Sequence, residues 1–140
     1  MSFVIDPQLR ADTHPVGTFD ASYVLLHKNA VVPWLILVPD CRETEFLALS
    51  TGLRERLLDE SAQTAKFIQS YFGSSKINFA AIGNVVPQLH LHVVGRTPGD
   101  ACWPAPVWGN LIDFKPYFDS EVRQLIKCML TECRLKSFKS

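Results

Sequence analysis

The chain has 140 residues, and its 14 basic and 14 acidic side chains cancel, which argues against a dedicated nucleic-acid binder with its basic excess or stripe. At 47% hydrophobic and 20% charged residues it has an ordinary globular composition, enough for one domain with its own core. No run approaches the ~18 consecutive apolar residues of a membrane span.

The opening Met-Ser-Phe-Val-Ile-Asp-Pro lacks the basic start of a secretory leader. Cys41, Cys102, Cys128 and Cys133 follow no metal or disulfide spacing. Free thiols in a reducing, cytoplasmic setting are the expectation. Residues 6–19 contain Pro7, Pro15 and Gly17 and read as a short helical turn followed by a strand start. Tyr23-Val24-Leu25-Leu26 is a strand by its β-formers, and Lys28-Asn29 open a connection. Residues 34–38 form a second strand, fenced by Pro33 and Pro39, with a continuous apolar run that predicts cover on both faces.

A short helix is expected within residues 43–49 and a long one over 51–72. In the long helix Leu53, Leu57, Leu58, Ala65, Ile68 and Phe72 recur at helical spacing, Arg54, Glu55, Asp59 and Glu60 are assigned to water, and Gly73 is the stop. Strands follow at 76–82 and 88–96, then a loop rich in Pro and Trp. Asp119 is the expected N-cap of a final helix over about 119–135, with Val122, Leu125, Ile126, Met129 and Leu130 on one side. The sum is a single α+β domain over 1–140 with a mainly antiparallel sheet of about five strands, one long helix and a C-terminal helix.

The stretch that carries chemistry is Gly83-Asn84-Val85-Val86-Pro87-Gln88-Leu89-His90-Leu91-His92-Val93-Val94-Gly95-Arg96. Alternation in a strand sends Leu89, Leu91 and Val93 to the core and Gln88, His90 and His92 to the other face. Side chains two apart stand about 7 Å apart, close enough to reach different oxygens of one phosphate. Two plainer readings stay open. The histidines could decorate a solvated face. His-x-His on a strand is also a common pair of metal ligands, and a third would have to come from His14 or His27.

This stretch resembles the signature of the histidine triad family, His-φ-His-φ-His-φ-φ with φ apolar. Gln88-Leu89-His90-Leu91-His92-Val93-Val94 matches it at every position but the first. Gly83-Asn84 stands where the family often has Gly-Gln, and Val32-Pro33 with the strand up to Pro39 is similar to the strand after the family's ribose-contacting loop. The likeness extends over about 14–108, and its departures mark a divergent, bacterial-type branch. The resemblance implies a nucleotide or dinucleotide ligand and attack by His90 on the α-phosphate, giving a covalent nucleotidyl-histidine that water or an acceptor resolves. It implies that a hydrogen bond from the other nitrogen of His90, to a backbone carbonyl for instance, fixes the reactive tautomer, and that His92 donates to a non-bridging oxygen. It implies neither metal nor other cofactor, and a homodimer; the balanced charge and the lack of a long apolar run already argue against a nucleic-acid or membrane partner. A nucleotide-binding module with little turnover is the alternative.

Gln88 replaces the first histidine, toward the leaving group, and glutamine cannot serve there as a proton-donating acid. Dinucleoside polyphosphates and nucleotide anhydrides, with better leaving groups, are therefore the substrates implied. Val85 stands where many relatives carry Ser or Thr, and Trp34 or Leu35 replaces a family histidine. By the same resemblance Asn29, or its neighbours His27 and Lys28, meets the ribose hydroxyls, and Asn78 and Asn84 contact the nucleotide. Asn29 reads equally well as a local turn cap. Arg96 reads as a phosphate ligand or a solvated strand end, Trp103 and Trp108 as edge packing or a dimer contact, and His14 as a surface residue.

Overall fold

The computed structural model describes residues 3–138. Helix α1 (Pro7–Asp12) starts where Asp6 accepts the Gln8 amide at 2.8 Å and Pro7 supplies a preset first turn. It leads into β1 (Thr13–Thr18), followed by β2 (Ser22–His27) and β3 (Trp34–Pro39). A single 3-10 turn, Phe46–Ala48, is all that forms of the helix expected at 43–49. Helix α2 (Thr51–Phe72), strands β4 (Lys76–Ala80) and β5 (Leu91–Arg96), helix α3 (Asp119–Glu132) and the two-residue β6 (Lys136–Ser137) complete the order.

The six strands lie in the order β4-β5-β3-β2-β1-β6, and each neighbouring pair is antiparallel. β3 occupies the interior of the sheet and all six of its residues are buried, as its unbroken apolar run predicts. Leu35 and Leu37 join Leu91 and Val93 beneath α2 and α3, where Leu57, Phe67, Ile68, Leu125 and Met129 close one core. Trp34, Ile36 and Val94 point to the opposite face, which the N-terminal segment and the loop after β5 cover through Ile5, Leu9 and Val107. The candidate histidines lie on this second face.

Several expectations change. α2 buries Leu57, Glu60, Ser61, Thr64, Phe67 and Ile68, so its inward stripe runs through Glu60, and Leu58 is turned to water. Glu60 is buried because it accepts hydrogen bonds from the Ser22 hydroxyl at 2.7 Å and the Ala21 amide at 2.9 Å, closing the β1–β2 turn. Burial raises its carboxyl above the usual range. Phe118, not Asp119, is the N-cap of α3: its amide donates to the Glu121 carboxylate at 2.8 Å, and Asp119 sits inside the first turn, where its charge suits the helix dipole. β4 ends at Ala80, and β5 enters the ladder only at Leu91, after Pro87, which has no amide hydrogen to give. The sixth strand is too short to show a period.

Two glycines are placed by geometry. Gly73 ends α2 with φ 75°, the left-handed turn expected of it. At Gly95 a Cβ would come within 2.6 Å of Ile68 Cγ2, so this bare backbone is what lets α2 lie close against β5. None of the helices among the described residues is long and apolar enough to cross a membrane.

Candidate active site

β5 is held by β3 on one side and β4 on the other, with His92 opposite Ile36 and Ala80. His90 precedes the strand by one residue and is carried on the same face. The two imidazoles stand 4.8 Å apart, centre to centre, with their planes 71° apart. They close one end of a cavity of about 340 Å³ whose other walls are Leu9, Trp34, Ile36, Val86 and Trp108. Both are buried, at 6% and 7% exposure, which rules out ornaments of a solvated face.

Their hydrogen bonds assign opposite roles. His90 Nδ1 lies 2.7 Å from the Gln88 carbonyl oxygen, which can only accept, so Nδ1 carries the proton and Nε2 keeps a free lone pair. His92 Nδ1 accepts from the Trp34 indole N–H at 3.0 Å, so in the neutral ring the proton is on Nε2. Burial, followed by His90 and His27, pushes the His92 pKa down to about 3, and the ring stays neutral at ordinary pH. His27 stacks on Trp34 at 4.2 Å and 14°, its Nδ1 accepting from the Asn29 amide at 3.1 Å. Burial lowers its pKa as well, which leaves a second neutral ring with its proton on Nε2. The cavity thus holds one imidazole with a lone pair to offer and two that donate.

A larger cleft, of about 560 Å³, opens between α2 and the chain end, with Glu55, Arg56, Asp59, Arg134 and Lys136 on its rim. Its charges are of both signs, and burial pushes the thiol of Cys133 up to about 11, away from the reactive thiolate. The smaller cavity is the one equipped for chemistry. Among the described residues no three His, Cys, Asp or Glu side chains are placed to hold a metal.

The HIT domain model matches residues 8–99. The chain belongs to the histidine triad family. Three bacterial histidine triad proteins of known structure share its fold over most of both chains. The Marinobacter aquaeolei protein is 37% identical with a TM-score of 0.87, covering 94% of this chain and 96% of its own. That of Sinorhizobium meliloti is 34% identical with a TM-score of 0.88, covering 94% and 97%. That of Bradyrhizobium japonicum is 33% identical with a TM-score of 0.87, covering 94% and 98%. No curated protein matches the chain. The histidine triad fold is in general that of nucleotide-binding hydrolases and transferases.

Of the residues singled out in the sequence, His90, His92, His27 and Asn84 meet at the cavity, and Gln88, Asn29 and Asn78 do not line it. Gln88 accepts the Asp6 amide at 2.7 Å and donates to the Val4 carbonyl at 2.9 Å, turning its side chain toward the N-terminal segment. Asn29 is buried; its side-chain oxygen accepts from the Val31 and Lys115 amides and its nitrogen donates to the Asp113 carbonyl, which is the work of a turn cap. Asn78 shares the sheet face of His92 but accepts from Arg96 at 3.0 Å. Arg96 is itself fully buried, forked onto Asp100 at 2.8 and 3.0 Å and set 5.6 Å from the Trp103 ring centre. It is neither a solvated strand end nor free for phosphate.

This cluster pins the loop that carries Trp108. Bonding to Arg96 holds the Asp100 carboxyl down at about 2. Arg96→Ala would strand Asp100 and Asn78, and an expected loss of ~3 kcal/mol should appear as an earlier midpoint in urea unfolding. No change in that midpoint would mean that the pair contributes nothing net.

The sequence does not disclose Trp34 as the partner that orders His92, or α1 as a wall supplying Gln8, Leu9 and Asp12. A sign of the first was present in the resemblance, which sets Trp34 or Leu35 where the family has a histidine. The second had none, because α1 lies far from the motif along the chain.

Proposed function

We propose that this protein is a nucleotide hydrolase or nucleotidyl transferase with His90 as its nucleophile. The observation that carries the reading is the opposed tautomers: Nε2 of His90 is unprotonated, and Nε2 of His92 is a donor. In the first step the His90 Nε2 lone pair forms a bond to the α-phosphorus. The bond from phosphorus to the leaving oxygen breaks, and that oxygen departs with the electron pair. His92 Nε2–H meets a non-bridging oxygen as charge gathers there. The positive charge left on the His90 ring is steadied by its Nδ1–H bond to the Gln88 carbonyl. Water then forms the new P–O bond, the N–P bond breaks, and the water proton is lost to solvent.

The cavity size is at the lower end of the ~300–1,000 Å³ usual for ligand pockets and suits one nucleoside with its phosphate. Its apolar walls, Leu9, Ile36, Ile82, Val86 and the indole of Trp108, suit a base. Asp12 lines the cavity, its carboxylate steadied by the Gln8 side-chain amide at 3.0 Å and with acceptor lone pairs to spare, so it is better placed for the ribose hydroxyls than Asn29, which does not line it. With Gln88 turned away, that motif position supplies no acid, which favours polyphosphate leaving groups. The same feature supports the second reading, a binding module with little turnover.

Incubation with diadenosine polyphosphates and with adenosine phosphoramidate, followed by chromatographic measurement of AMP, tests the reading. AMP should come faster from the polyphosphates, and base quenching should capture an acid-labile nucleotide adduct on His90. AMP binding with neither release nor adduct would assign the module reading instead.

A further inference from the structure

Gln88 occupies the first position of the motif, yet its side chain does not line the cavity. Its amide grips the backbone of a segment 82 to 84 residues away: Oε1 accepts from Asp6 N–H at 2.7 Å and Nε2 donates to the Val4 carbonyl at 2.9 Å. An amide side chain is suited to this, because one end accepts and the other donates, as a neighbouring strand would. Ile5, between the two gripped residues, is buried in the core of this sheet face.

The grip is applied where α1 begins. Asp6 is the N-cap of that helix and Pro7 its first residue. Two residues on, Leu9 is 5% exposed in the same core, and Gln8, Leu9 and Asp12 form a wall of the cavity. A helix of six residues is too short to hold itself in place in water. Its position is set by Leu9, by the run into β1, and by the grip on the residues just before it.

Gln88 has a second attachment, through its backbone. Its carbonyl oxygen takes the His90 Nδ1 proton at 2.7 Å. Side chain and main chain of one residue thus reach the segment that leads into the cavity wall and the nucleophile separately.

We propose that Gln88 is a positioning residue whose side-chain amide clamps the N-terminal segment and so seats the α1 wall against which the nucleotide binds. This deepens the reading of His90 as a nucleophile and relies on it only for the kinetic arm of the test. A substitution at 88 removes the clamp and leaves the main-chain carbonyl in place. Binding suffers and the chemical step does not.

Gln88→Met keeps the length and bulk of the side chain and loses both polar atoms, and Gln88→Ala loses the bulk as well. Amide hydrogen exchange read by NMR on the nucleotide-free protein should show Asp6 protected in the parent and exchanging at least about tenfold faster in Gln88→Met, the factor one lost hydrogen bond represents. AMP affinity by calorimetry should fall, and KM for a diadenosine polyphosphate should rise, by about tenfold or more, with kcat within about threefold of the parent. Gln88→Glu keeps the acceptor for Asp6 but faces the Val4 carbonyl with a second acceptor, and should fall between the parent and Gln88→Met.

Unchanged Asp6 exchange in both Gln88→Met and Gln88→Ala would overturn the clamp. Faster exchange with unaltered AMP affinity and KM would overturn the link to the wall. A collapse of kcat at constant KM would mean that the side chain acts in the chemistry. Should the parent turn over no nucleotide, the reading of His90 fails while exchange and AMP affinity still decide the clamp. If AMP does not bind either, the exchange of the α1 amides decides whether Gln88 seats the wall.

Discussion

His90→Ala is expected to lower AMP release by at least about 10⁴-fold, the scale on which enzymes lose rate when a covalent nucleophile is removed. No neighbour can take over. The ring nitrogen of His92 not bonded to Trp34 carries a proton, and so does that of His27 not bonded to Asn29. Both donate at the atom where a nucleophile must offer electrons. The variant also leaves the Gln88 carbonyl without its partner in a half-buried place, at a cost of up to about 1–3 kcal/mol. That cost is larger than for the exposed strand-face residue that the sequence suggests, since His90 is only 6% exposed. It is well short of what unfolds an ordinary domain. Circular dichroism should show a folded variant with a lower melting temperature, and the acid-labile adduct should vanish with the activity. Residual AMP release above about a hundredth of the parent rate, from a preparation free of contaminating hydrolase, would exclude His90 as the nucleophile.

What the sequence discloses depends on how far along the chain the cause of each feature lies. β3 was legible because its prolines and continuous apolar run are local, and the turn at Gly73 for the same reason. His90 and His92 face as alternation along the stretch predicts, while Gln88, which the same alternation sets beside them, turns its side chain to the N-terminal segment. Features set by distant partners were not legible. Glu60 falls on the buried stripe of α2 because of Ser22, 38 residues earlier in the chain, and without that partner a glutamate there belongs in water. Gln88 and the N-terminal segment, or Trp34 and His92, meet only when the sheet forms. Asn29 shows the limit of the family likeness: a turn cap and a ribose ligand are the same residue type at nearly the same place, and only the amides of Val31 and Lys115 distinguish them. Arg96 and Asp100 are close in sequence, but their burial depends on the Trp103 loop folding over them.

Trp34→Phe carries the second large expected effect, because it separates the packing of an aromatic ring from one hydrogen bond. The indole stacks on His27 and meets Trp108 edge-on, contacts a phenyl ring largely keeps. The phenyl ring has no N–H for His92 Nδ1. The His92 proton is then free to move to Nδ1, which turns an Nε2 lone pair toward the phosphate oxygens where a donor is needed. Losing one preorganised donor costs roughly 10²–10³ in kcat; a tautomer that is still populated part of the time should cost about 10- to 100-fold. Burial of His92, with His90 and His27 beside it, sets a pH dependence, and the indole N–H bond favours the same neutral ring. The folded His92 pKa of about 3 lies below its ordinary value of 6.5. As pH falls from about 6.5 toward 3 the unfolded chain takes up a proton that the folded chain refuses. Folding stability is therefore fully present above that window and declines within it, by up to a factor of ~10 in the folding equilibrium per pH unit. In the variant protonation no longer displaces the indole N–H, the folded pKa rises, and the decline is shallower. Urea midpoints at pH 4.5 and 7.5 should differ less in Trp34→Phe than in the parent, alongside the fall in kcat at pH 7.5. An unaltered kcat would remove His92 from the chemistry, and an unaltered acid decline would remove Trp34 from control of its proton.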